Sequence, residues 1–280
     1  MVRMSDVWDR ATEFLGDNLR ALAPIGLLIA LLLAFQQGLT VMKDGAAPGT
    51  SALISIVGFV ASIVALVARL GVQAFAIDTN AGLSEALARV RRRVWVVIGV
   101  FFLLGIAAVV LFIPFFALMI AGGVPPTAFN GNKIDPAVFQ SMPGWVGWSL
   151  FVYGLALVVG LLWIAARLSL TVPVVLFEQQ GIGAFGRSFE LTRGLALRIL
   201  GALILIGLVG AVAALAAKAV FGSVLRLALG DGGPLGAGAV LTILIVAIVA
   251  TVFSLIGDAF TGKLYVAARG GLADAGIDAA

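Results

Sequence analysis

Val94–Gly122 reads VWVVIGVFFLLGIAAVVLFIPFFALMIAG, without a single charged side chain. A helix rises 1.5 Å per residue and the hydrocarbon layer of a bilayer is about 30 Å thick, so about 20 such residues cross it. The run lacks period-2 alternation, which excludes a porin-type strand, and lipid tolerates no open sheet edge. Working outward, Ala21–Met42, Ser51–Ile77, Trp145–Phe177, Leu195–Leu229 and Gly236–Ala268 have the same character. The expected fold is therefore all-α, a polytopic membrane protein with six transmembrane helices in a single domain over 1–280. Several stretches are longer than a perpendicular crossing needs and must tilt, kink or continue beyond the bilayer. Pro24, Pro114 and Pro173 each remove a backbone donor and are expected at kinks or ends.

The composition agrees. Of 280 residues, 62% are apolar and 11% charged, and the mean hydropathy is +1.16. Soluble domains run at about 45–50% apolar and about 25% charged. The absence of His and Cys removes disulfides, thiolate nucleophiles, Cys/His zinc sites, haem ligation and histidine acid–base steps. Neither a phosphate-binding Gly-x-x-x-x-Gly-Lys-Ser/Thr loop nor a Gly-x-Ser-x-Gly elbow occurs. Gly181–Gly186 formally matches a dinucleotide fingerprint but lacks the preceding soluble βα unit that gives the pattern meaning. No cofactor and no metal are expected.

Lys and Arg set the orientation. With six spans, the termini and two charged connections share one side, which holds fourteen of the 18 basic residues, Arg69 and Arg167 at its edge included. Lys43, Lys133, Lys218 and Arg226 lie on the other side. This predicts cytoplasmic termini, and the Gly/Ala/Val/Arg-rich composition points to a bacterial plasma (inner) membrane. Topology thus accounts for a pI near 10.0 without nucleic acid as a partner. Acidic Asp6, Asp9, Glu13 and Asp17 are unlike a short basic signal n-region, so the first span is expected to be retained.

The chain reads as three copies of one unit, about 5–78, 79–177 and 178–270, each a basic amphipathic segment, a span, an outside loop and a returning span. The apolar stripes are Val7, Ala11, Phe14 or Leu15, Leu19 and Leu22; Leu83, Leu87, Val90 and Val94; and Ile182, Phe185, Phe189 and Ala196. The opposite faces carry arginines, an arrangement expected to lie along the membrane surface with guanidinium groups toward anionic headgroups. The plainer reading packs these segments on the protein itself. Ala68-Arg69-Leu70 and Ala166-Arg167-Leu168 end the first two returning spans alike, and Ala268-Arg269 closes the third. Gly123–Gly144, the longest connection, is too short for a domain.

The candidate headgroup or charge-pair residues are Arg69, Arg167, Glu178, Arg187, Ser188, Arg193, Asp258 and Arg269. Arg69 and Arg167 either snorkel to the interface or form a ring at one depth that binds a phosphate-bearing headgroup. Asp258 and Glu178 are expected counter-ions for arginines, with proton transport the alternative.

Arg167, Pro173, Glu178 and the run Ala184-Phe185-Gly186-Arg187-Ser188-Phe189-Glu190-Leu191-Thr192-Arg193-Gly194 resemble the bacterial family named for the membrane domain of glycerophosphoryl diester phosphodiesterases. Leu264-Tyr265-Val266-Ala267-Ala268-Arg269 is similar to its closing Leu-Tyr-Tyr-x-x-Arg element, departing at Val266. The resemblance implies a stand-alone six-span membrane protein. In two-domain members hydrolysis belongs to a separate soluble barrel that uses histidines and metal-binding carboxylates, so only the membrane module carries over to a chain without His. Three functions compete. A non-enzymatic protein that binds lipid or supports a membrane-protein partner through its basic rim comes first. A transporter for a lipid-like or small amphiphilic solute follows, and a membrane-embedded enzyme ranks last.

Overall fold

A computed structural model describes residues 3–43, 46–125, 142–230 and 232–274. Most of the connection at 123–144 lies outside them. All regular structure among the described residues is helical. It comprises α1 (Met4–Asp17), α2 (Leu19–Lys43), α3 (Pro48–Ile77), a 3-10 turn (Thr79–Ala81), α4 (Gly82–Ala121), α5 (Gly144–Leu168), α6 (Thr171–Phe177), α7 (Ala184–Leu191), α8 (Ala196–Leu229) and α9 (Ala237–Asp274). Six segments are long and apolar enough to cross a membrane, the fourth running from Gly144 to Phe177. The protein is a multi-pass membrane protein.

The interhelical contacts give the register. Gln36 donates to Ser62 Oγ at 2.8 Å and Lys43 to Ser55 Oγ at 3.0 Å, so seven residues up α2 correspond to seven down α3 and the pair is antiparallel. Tyr153 on α5 donates to the Leu111 carbonyl on α4 at 2.6 Å, and Gly122 faces Met142. Gly210 abuts Phe253, Gly222 faces Thr242 and Gly238 meets the Leu225 backbone, which makes α8 and α9 antiparallel too. In consequence α1, α6, α7, the starts of α2, α4 and α8, and the ends of α3, α5 and α9 gather at one end of the bundle, called here the basic end.

The main core sits there. Val7, Phe14, Leu22, Val72, Phe75, Val90, Leu170, Val174, Leu176, Leu191, Phe260, Leu264 and Tyr265 belong to one buried cluster. Every residue from Leu70 to Ala76 is buried, all the way round the helix. A stripe facing lipid would leave a third or more of those positions open. At the far end the long helices expose bulky side chains such as Phe59, Phe102 and Trp148. Lipid tails are as apolar as those side chains, so no hydrophobic force gathers them, and contact there relies on glycines and on interhelical hydrogen bonds such as Lys43 to Ser55.

Three sequence expectations change. The stretch Trp145–Phe177 is two helices, broken at Ser169–Leu170. Pro173 has no N–H for the Ser169 carbonyl and its ring crowds that oxygen, so the helix restarts with Pro173 in its first turn. Helices α2 and α4, by contrast, run on through Pro24 and Pro114. The stripe of α1 does not rest in the headgroup boundary. Val7, Ala11 and Phe14 are buried against the bundle, and the Phe14 ring meets Phe75 edge-on at 5.2 Å. On α7 the buried face is Ala184, Ser188 and Leu191, whereas Ile182 is 74% exposed and Phe185 and Phe189 are only half-buried. The hydroxyl of Ser188 has a carbonyl to satisfy inside, and that decides which side of α7 faces in.

Candidate functional site

The polar groups at the basic end are organised around Glu178, which follows α6. One of its carboxylate oxygens accepts from Arg187 Nε at 3.1 Å and the other from the Tyr265 hydroxyl at 2.9 Å. Arg187 also reaches Glu190 at 3.2 Å. Arg187 and Glu178 are mostly buried, with side chains 19% and 13% exposed, so each needs the other to offset lost hydration. Phe177 carries the cluster further, with the Arg89 guanidinium 4.6 Å from its centroid and the Tyr265 ring 6.2 Å away. These residues come from α4, α6, α7 and α9, so the cluster ties four helices together.

Gln179 is the one non-glycine described residue with a left-handed backbone, at φ 59°. That conformation costs free energy unless the surroundings hold it. Arg93 supplies the hold, donating to the Gln179 carbonyl at 3.1 Å and to its side-chain oxygen at 2.8 Å.

Arg167 and Ser188 form a second joint. The Arg167 carbonyl lies in the last turn of α5, where helical partners run out. Ser188 Oγ donates to it at 2.7 Å across to α7. Arg167 itself donates to the Phe189 carbonyl at 3.0 Å, and its guanidinium lies 5.3 Å from the Trp163 ring centre and 5.5 Å from that of Phe189.

Arg69 and Asp258 face each other from α3 and α9 in a bidentate pair, both bonds 2.9 Å. Their depth follows from the register. Arg20 to Lys43 on α2 spans about 35 Å, and Arg198 to Lys218 on α8 about 30 Å, each close to one hydrocarbon thickness. Continuing the α2–α3 register sets Arg69 opposite Ile29, about 14 Å inward from Arg20. The α8–α9 register independently sets Asp258 opposite Leu205, about 10 Å inward from Arg198. The pair therefore lies inside the slab that these flanking charges mark out. A lone charge at a helix centre costs about 2.5–3.5 kcal/mol on insertion scales, which explains why the two occur together.

Of the candidate residues, Glu178, Arg187, Ser188 and Arg167 meet around α5–α7, and Arg69 and Asp258 meet one another. Arg69 and Arg167 do not form a shared phosphate-binding ring. The fork of Arg69 is occupied by a carboxylate, and Arg167 is held by a carbonyl and two aromatic rings. Arg193 and Arg269 are exposed and belong to neither group. Arg89, Arg93 and Gln179 join the site without having been candidates, and Tyr265, noted only within the closing Leu264–Arg269 element, joins it from 87 residues away. Among the described residues no group of His, Cys, Asp and Glu is arranged to hold a metal ion.

No family model, no curated protein and no solved structure matches this chain.

Proposed function

We propose that this protein is an integral membrane protein, without catalytic activity of its own, that binds anionic lipid headgroups through its basic end and can hold a membrane-protein partner there. One observation carries the reading. Arg69, Arg89 and Arg187 are matched with Asp258, with Asp78 and Glu85, and with Glu178 and Glu190. Arg20, Arg91, Arg92, Arg193, Arg198 and Arg269, all at the basic end, are exposed and have no ion pair among the described residues. Exposed guanidinium groups without an ion pair are available to phosphate oxygens. A cation near an anionic membrane surface contributes about 1 kcal/mol.

The excess of arginine at this end supports a bacterial inner membrane with both termini cytoplasmic, and three consecutive hairpins that return to that face. The meeting of Arg167, Glu178, Arg187 and Ser188 supports reading the chain as a stand-alone member of the membrane-domain family it resembles. In nanodiscs, phosphatidylglycerol should raise the thermal stability of the wild type more than that of a variant with Arg91, Arg92, Arg193 and Arg198 replaced by Gln. Equal responses would count against the reading.

A second reading, transport of a lipid-like or small amphiphilic solute, is favoured by the ion pair within the slab. It predicts solute uptake into proteoliposomes that Asp258→Asn abolishes. Uptake unchanged by that substitution would remove the support.

A further inference from the structure

At the basic end, α1, α2 and α9 frame a groove of about 470 Å³. Leu15 comes from α1, positions from Leu19 to Ala30 from one face of α2, and positions from Ile248 to Ile256 from one face of α9. No charged side chain lines it. Its two hydroxyls are already engaged, Thr12 donating to the Asp9 carbonyl at 2.9 Å and Thr251 to the Ala247 carbonyl at 2.8 Å. A polar ligand would give up its hydration there for almost nothing in return, so the occupant is apolar.

The groove has a back and an open side. Gly26 is buried, and a Cβ added to it would lie 3.2 Å from Leu255 Cδ1, so α2 and α9 approach closely behind the groove. Leu27 and Val252, also in the lining, are 55% and 50% exposed. The opening therefore faces sideways, into the hydrocarbon. Left empty, every wall would lose its dispersion contacts.

Its length says what fills it. Leu19 to Ala30 covers about 16 Å of helix rise. One leaflet is half of a hydrocarbon layer about 30 Å thick, or about 15 Å. The groove thus follows a single leaflet from its headgroup edge to the midplane. A partner helix is about 10–12 Å across with its side chains and would cross both leaflets, which this short, narrow space does not match. An acyl chain is slender and spans one leaflet. At the mouth Asp17 and Arg20 are both exposed, so the rim carries both signs and head charge does not choose the ligand.

We propose that this groove holds one acyl chain of a glycerophospholipid from the leaflet at the basic end, gripped by α1, α2 and α9 while its head stays at the interface. The inference goes beyond the headgroup reading, because it depends on the shape of an uncharged groove and not on the exposed arginines.

The test uses the full chain in phosphatidylcholine vesicles that contain a small fraction of phosphatidylcholine with a diazirine midway along one acyl chain. After illumination, labelled positions are mapped by mass spectrometry. Labelling should concentrate on the groove walls above the level around Phe102, which is exposed on α4 about 14 Å along the helix from Arg93 and so at similar depth. Ala23→Phe and Val252→Phe, which fill the groove from opposite walls, should each bring its labelling down to the α4 level. Ala211→Phe, on an exposed part of α8 outside the groove, should change nothing. The variant with Arg91, Arg92, Arg193 and Arg198 replaced by Gln should label as wild type, since the probe lipid is zwitterionic. Wild-type groove labelling no higher than at Phe102, the result expected if a second copy or a partner helix covers this face, would overturn the proposal. So would labelling unchanged in a folded groove-filling variant, or lost in the fourfold Gln variant.

Discussion

The two ends of this bundle are built from the same helices but held together differently. At the basic end, short helices α1, α6 and α7 cover the ends of α3, α4 and α9, and the buried cluster resembles the core of a soluble protein. At the far end the long helices meet through Gly210, Gly222 and Gly238, and large side chains point outward. Water drives apolar side chains together and lipid does not, so a polytopic protein can concentrate its specific structure where its helices leave the hydrocarbon. The difference also divides the charges. Arg69, Arg89 and Arg187 are matched with carboxylates there, and the exposed arginines beside them define a surface.

Substitutions matched across the two ends sharpen or break this contrast. The largest expected effect is at Phe75, 4% exposed and edge-on to Phe14. Phe75→Ala should cost about 3–5 kcal/mol in detergent unfolding, whereas Phe59→Ala, 65% exposed, should stay within about 0.5 kcal/mol. Equal losses would mean that both ends are packed alike.

Glu178→Ala comes next, because it leaves Arg187 without its buried partner, keeping only the exposed Glu190, and removes the acceptor of the Tyr265 hydroxyl. About 3 kcal/mol is expected from removing the buried partner of a mostly buried charge. Tyr265→Phe should cost about 1 kcal/mol, the net value of one hydrogen bond. A Glu178→Ala protein as stable as wild type would show that the cluster is solvated rather than structural.

Smaller effects separate the glycines. A Cβ on Gly262 would lie 2.9 Å from both the Ala76 Cβ and the Gln73 carbonyl, while one on Gly207 meets nothing within 4 Å. Gly262→Ala should lose about 1–3 kcal/mol by overpacking α3 on α9, and Gly207→Ala should be neutral or better. Ser188→Ala should cost about 1 kcal/mol, because the Arg167 carbonyl keeps only the longer bond from Thr192 at 3.4 Å. A Gly207→Ala loss equal to that of Gly262→Ala would mean that α8 is packed as tightly at Gly207 as α9 is against α3 at Gly262.

The spans were legible in the sequence because lipid imposes a simple rule on length and charge. Ala21–Met42 and Ser51–Ile77 fall within three residues of α2 and α3 at every end. The reading separated a surface segment from the span beginning at Val94, whereas α4 is continuous from Gly82, since nothing in Leu83–Arg93 interrupts a helix. The charge partners of Asp258 and Glu178 were legible in kind, as arginines, but not by name, because pairing across 189 residues depends on how helices are arranged. The face of α7 was misjudged for a similar reason. Periodicity favoured Ile182, Phe185 and Phe189, but the unmet carbonyl of Arg167 drew Ser188 inward.

The central claim is that α1, the start of α4, α7 and the end of α9 share one membrane face, opposite the ends joined by the α2–α3 and α8–α9 connections. The sequence contains no cysteine, so single substitutions report without background. Arg92→Cys, Arg193→Cys and Arg269→Cys should react with a membrane-impermeant maleimide from one side of sealed vesicles only. Ala47→Cys and Leu235→Cys should react only from the other. Labelling of Arg193→Cys and Leu235→Cys from the same side would contradict the account.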